Sequence, residues 1–193
     1  MLKQQYNEYL RKHRHKQNKG GGGRVDSEKS KTYQAEWAFQ KRVKVKEFEN
    51  LKEAQKRAKQ IYATKKWQKV WKLESRTDRN LMKRPAVVLK ERNTGRGTAG
   101  WTDGWSVTLD SKAGLDEYTL LHELAHCLGH MHHGRSFRRA LLELVGAFIG
   151  ADAKKILKEE FAKRKLKCGK ARQPLTYTQW KAARNKMENI RNV

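Results

Sequence analysis

Cysteine is scarce in this chain, with Cys127 and Cys168 the two among 193 residues. So small a number supports no disulfide framework, and free thiols in a reducing compartment are the expectation. Long apolar runs are missing too. No stretch reaches the roughly 18 apolar residues that mark a membrane-crossing helix. The opening residues, MLKQQYNEYLRKHRHK, lack the apolar centre of a signal peptide. No membrane partner is therefore expected, and the expected location is cytoplasmic. The Gly-rich stretch TGRGTAGWTDG at 94–104 lacks the G-x-x-x-x-G-K-[ST] pattern, so it marks no nucleotide site.

Acidic residues are few. The 45 Lys and Arg outnumber 20 Asp and Glu, for a formal charge of +25, and 37% of the residues are hydrophobic. That content supports a modest core with appendages: a flexible basic tail over 1–31, a domain over 32–166, and a basic, helical extension over 167–193. A charge so far from zero favours a polyanionic partner, with nucleic acid first, reached through the basic tails. Lys exceeds Arg, which suggests attraction to a phosphate backbone rather than reading of base edges.

Against this background, residues 119–133, TLLHELAHCLGHMHH, concentrate chemistry. On a helix, His122 and His126 project from one face at neighbouring heights. Glu123 sits beside them, turned by about 100°. This is the H-E-x-x-H arrangement in which two His bind zinc and the Glu is a general base. Leu120, Leu121, Leu124 and Leu128 would form the core stripe of the same helix. A catalytic zinc site needs a third protein ligand, and His130, His132 and His133 all follow closely. The spacing H-E-x-x-H-x-x-G-x-x-H would choose His132. His133, followed by Gly134 and Phe137, is the other choice: the Gly would allow a tight approach and the Phe would anchor the loop.

HELAH followed by HGRSF resembles the SprT-like zincins and their Wss1-like relatives. A closer resemblance is to a small family of metallohydrolases from actinobacteria and their phages. It covers roughly residues 45–190, through GWSVTL, HGRSFRRALLELVGAFIG and ARQPLTYTQW. The resemblance implies that His122, His126 and His133 bind Zn2+ and that Glu123 is the catalytic base. Arg135 and Ser136 replace the Pro and Glu of the family's more frequent HGPEF. The implied fold is α+β: a minimal zincin-like arrangement with a small mixed sheet packed on the metal helix, followed by C-terminal helices. If phage-encoded, the protein would work in the host cytoplasm.

The surrounding sequence suits such a plan. Tyr33, Trp37 and Phe39 lie among basic residues, as a stacking platform for single-stranded nucleic acid or as an element packed on the core. Asn50 with Glu53 reads as a capping box. Leu51, Ala54, Ala58, Ile61 and Tyr62 then recur at helical spacing. PAVVLKER at 85–92 and WSVTLD at 105–110 read as strands, the second suited to pairing with an extended peptide. Asp116 and Glu117 favour the start of the metal helix. Residues 136–150 form a helix behind it, on which Glu143 could support a ligand His or pair with Arg139. The expected activity is a zinc-dependent metallopeptidase that hydrolyses a protein or peptide substrate, including proteins on nucleic acid. The alternatives are a nucleic-acid-binding protein with a structural or vestigial zinc site, and a hydrolase of non-peptide amides.

Overall fold

The computed structural model describes residues 28–74, 84–90, 99–102, 106–111, 113–130 and 132–169. The expected helices over 3–14 and around Trp180, and the position of Trp105, lie outside the described residues. Among these residues, six helices and three strands run in the order α1 (Lys29–Arg42), α2 (Leu51–Ala63), α3 (Lys65–Glu74), β1 (Ala86–Lys90), β2 (Gly100–Thr102), β3 (Ser106–Asp110), α4 (Glu117–Cys127), α5 (Arg135–Phe148) and α6 (Ala151–Lys163).

Helix α2 begins where Asn50 accepts a hydrogen bond from the Glu53 backbone N–H at 3.1 Å. The Glu53 carboxylate reaches back one residue further than a simple capping box, accepting from the Glu49 N–H at 2.9 Å. Ala54, Ala58, Ile61 and Tyr62 are its buried face, so the apolar spacing emerges as a core contact.

The sheet has the order β1-β3-β2. β1 runs parallel to β3, with Val87 opposite Val107, while β2 is antiparallel, with Trp101 opposite Thr108. Strand β2 arises inside the Gly-rich 94–104 stretch. Val107, Thr108 and Leu109 are all buried, as befits the central strand of a covered sheet.

Helix α4 packs between β2 and β3 on one side and α5 on the other. It is buried along its whole length, and Leu120, Leu121, Leu124 and Leu128 are fully inaccessible. Asp116 caps it by accepting from the Thr119 N–H at 2.8 Å. The segment before α2 also holds this end: Phe48 N–H donates to the Leu115 carbonyl at 2.7 Å, and Glu117 N–H to that of Lys46 at 2.9 Å. Gly129, with φ of 92°, ends the helix in a conformation that a β-carbon would disfavour.

The zincin-like expectation is corrected here. In place of a small sheet on one metal-carrying helix, a three-stranded mixed sheet sits among six helices. The histidine cluster draws on α4 and on the turn entering α5, rather than on a single helix. Among the described residues three helices precede the sheet, and α1 packs against α6.

Candidate metal centre

His122 and His126 lie one turn apart on α4, and the turn after Gly129 returns His133 to the same point. One ligand atom from each lies within 4.8 Å of the others, and all three residues are buried. The Nε2 atoms of His122 and His133 are 3.3 Å apart. A tetrahedral ion with metal–nitrogen bonds of about 2.0–2.1 Å needs nitrogens roughly 3.3–3.4 Å apart. The cluster can therefore coordinate a divalent metal ion.

The outer nitrogens support that reading. His122 Nδ1 donates to Glu36 Oε2 at 3.0 Å. His126 Nδ1 donates to the His130 carbonyl at 2.5 Å. With Nδ1 protonated on both rings, both Nε2 lone pairs face the shared centre, the tautomer that binding a cation requires. Two such lone pairs at close range repel one another unless a cation or a proton lies between them.

Proton affinities reflect the same enclosure. Burial opposes a charge on His122, yet Glu36, helped by Glu123, prevails and raises its pKa to about 9. Burial and the neighbouring His122 and His133 push His126 well below the ordinary range.

Packing orients the third ring. Phe137, fully buried at the start of α5, stacks on His126 with centroids 4.4 Å apart and meets His133 edge-on at 4.8 Å. Tyr33 of α1 meets the other side of His133, also at 4.8 Å. The His133 carbonyl accepts from Arg138 Nη1 at 2.6 Å and from Thr32 Oγ1 at 3.3 Å. Arg138 is completely buried and also donates to Glu28 Oε2 at 2.9 Å and to the Lys167 carbonyl at 2.8 Å.

The rival third ligands go elsewhere. His132 is exposed, while His130 turns away so that its Nε2 donates to the Glu74 carbonyl at 2.9 Å. Gly134 is not needed for a close approach, because a β-carbon there would meet nothing within 4 Å. Glu143 supports no ligand; it pairs with Lys154 at 2.8 Å, and Arg139 pairs with Glu74 at 2.8 Å.

Glu36, Tyr33, Thr32 and Arg138 were not legible as site residues. One signal was present: Glu36 is the single acid in KSKTYQAEWAFQKR, a helix otherwise carrying Lys and Arg.

Glu123 overturns the expected chemistry. Among the described residues the metal-ligating group consists of three imidazoles, and Glu123 is not part of it. Its carboxylate packs against Gly100, where a β-carbon would lie 2.7 Å from Oε1. The reading of Glu123 as an engaged base, and with it the zinc-dependent metallopeptidase and hydrolase readings, is corrected to a three-histidine centre without a catalytic Glu. No family model, curated protein or solved structure matches the chain. The SprT-like, Wss1-like and phage-family resemblance is corrected with it. No helix among the described residues is long and apolar enough to cross a membrane.

Proposed function

We propose that this is a nucleic-acid-associated protein whose three-histidine centre holds one zinc ion in a structural role. His122, His126 and His133 are the proposed ligands. Three neutral imidazoles suit zinc better than a hard cation that prefers oxygen.

The observation that carries the reading is how the rings are held. Glu36 of α1 fixes His122, the turn after α4 fixes His126, and Arg138 of α5 fixes the His133 backbone. An ion at their centre would join α1, α4 and α5, so its binding free energy would add to folding. Glu123, outside the ligand group, has no role in bond cleavage in this reading.

The charge of +25 supports nucleic acid as the partner, attracted by the basic appendages 1–31 and 167–193 flanking a domain over 32–166. Neither Cys127 nor Cys168 is held in a disulfide among the described residues, which suits a reducing cytoplasm.

The test combines zinc content with thermal melting of the full chain, before and after chelation, for wild type and Glu123→Gln. The expected result is about one zinc per chain in both proteins, with a melting temperature that falls on chelation and recovers with zinc. Casein hydrolysis that disappears in Glu123→Gln would overturn the structural role. So would folded protein that takes up no zinc.

A further inference from the structure

Helix α1 carries two aromatic side chains flanked by lysines along one ridge. Lys29, Tyr33, Trp37 and Lys41 recur every four residues and so share a stripe. The twelve helical steps from Lys29 to Lys41 extend it over about 18 Å. Trp37 is 61% exposed, the most accessible large hydrophobic side chain among those described. Its ring stacks with Tyr33 at a centroid distance of 6.3 Å and an interplanar angle of 19°. The Lys29 ammonium stands over the Tyr33 ring at 5.6 Å. Phe39, by contrast, is fully buried, so the aromatic cluster divides between core and surface.

We propose that this stripe is a stacking site for single-stranded nucleic acid, with bases on Trp37 and phosphates along Lys29 and Lys41. The proposal rests on the nucleic-acid reading above and gives it a location within the folded domain.

Charge selects this occupant. The one acid of α1, Glu36, faces inward to His122, and the preceding Glu28 is turned to Arg138. The outer face is left cationic. Lys29, Tyr33 and Trp37 also line a cleft of about 220 Å³ whose wall includes Glu36, His122 and Glu123. Those two carboxylates repel phosphate, so a strand would keep its backbone on the lysine rim, away from the cleft. Stacking on an exposed aromatic is tolerant of sequence, in keeping with a chain richer in Lys than Arg.

The experiment compares binding of a short oligothymidylate with that of an abasic strand of equal length, using fluorescence anisotropy on the full chain. Wild type should prefer the strand with bases. Trp37→Ala should weaken oligothymidylate binding about ten-fold and leave the abasic strand unaffected, and Trp37→Phe should restore most of the loss. Lys41→Ala should weaken both strands and reduce the salt slope by about one. Zinc content and melting temperature of Trp37→Ala should match wild type, since its side chain is exposed.

If Trp37→Ala binds both strands as wild type does, the stacking site is wrong while backbone attraction survives. If wild type binds neither strand, the nucleic-acid reading fails with it. Tighter binding of an aromatic-rich peptide than of either strand, lost in Trp37→Ala, would overturn the proposal in favour of a protein partner.

Discussion

Glu36 Oε2 lies 3.0 Å from His122 Nδ1, joining a helix at the start of the described chain to the buried helix that carries two of the three imidazoles. Both side chains are almost inaccessible to solvent, so the contact acts in a low-dielectric setting where charge is felt strongly. It fixes the ring and makes the Nε2 lone pair, on the side of His133, more basic. Glu36→Gln keeps the size but removes the charge. It should weaken metal binding by roughly ten- to a hundred-fold, read by competition with a chelator. An affinity equal to wild type would mean that the contact does not tune the centre.

The same pair sets a pH dependence that changes sign with metal. Without metal, the His122 pKa is raised from 6.5 to about 9 because Glu36 outweighs burial. The protonated pair thus contributes its full stability below about 6.5, and loses it as pH rises through about 9. A metal needs the neutral ring, so its affinity should increase over that same interval, with about one proton released per ion near neutral pH. Calorimetric titration in two buffers of different ionisation enthalpy measures this directly. No proton release at pH 7 would contradict it.

Arg138 places a full charge where no solvent reaches. Its guanidinium joins the His133 carbonyl, the Lys167 carbonyl and the Glu28 carboxylate. Arg138→Leu leaves the buried His133 carbonyl without its charged donor, at a cost of about 1–3 kcal/mol, while the more accessible Glu28 carboxylate and Lys167 carbonyl turn to water. A loss of that size is expected from urea unfolding of the metal-free protein. Arg138→Lys, retaining charge and one or two of the contacts, should lose less. A loss under about 1 kcal/mol for the leucine variant would show that the network is slack.

Gly100 separates the metal centre from Glu123 experimentally. A β-carbon at this position would meet Glu123 Oε1 at 2.7 Å and Cγ at 2.8 Å. Gly100→Ala must displace that side chain, at an expected cost of about 1–3 kcal/mol. Metal stoichiometry should not change, since Glu123 lies outside the ligand group. Loss of metal in a folded Gly100→Ala protein would return Glu123 to the centre.

Local features were the readable ones. The Asn50 cap, the α2 stripe and the strand runs are set by neighbours within a few residues, so they are visible in a single sequence. His122 and His126 are paired by helical spacing alone. What decides the chemistry comes from far away. Glu36 rather than Glu143 faces a histidine of the cluster, because α1 packs against it while Lys154 on α6 is in reach of Glu143. His130 was eligible by spacing and is instead spent on the Glu74 carbonyl at the end of α3. The five-residue motif likewise says nothing of Gly100, where a β-carbon would crowd the Glu123 carboxylate. Periodicity cannot show which side of a helix another element will cover.

The bonds around His133 tie together parts of the chain that are made at very different times. Thr32 and the His133 carbonyl are 101 residues apart in sequence, and Arg138 and Glu28 are separated by 110. During synthesis, helix α1 emerges early, yet its partners for these bonds follow only after the entire sheet and α4. Closing such long loops costs entropy before any contact compensates it, and non-local contacts of this kind slow folding. Metal capture would then be among the last events of maturation. Until then α1 would wait with Trp37 and its lysines already accessible, so a nascent chain could meet a polyanion before it could hold an ion.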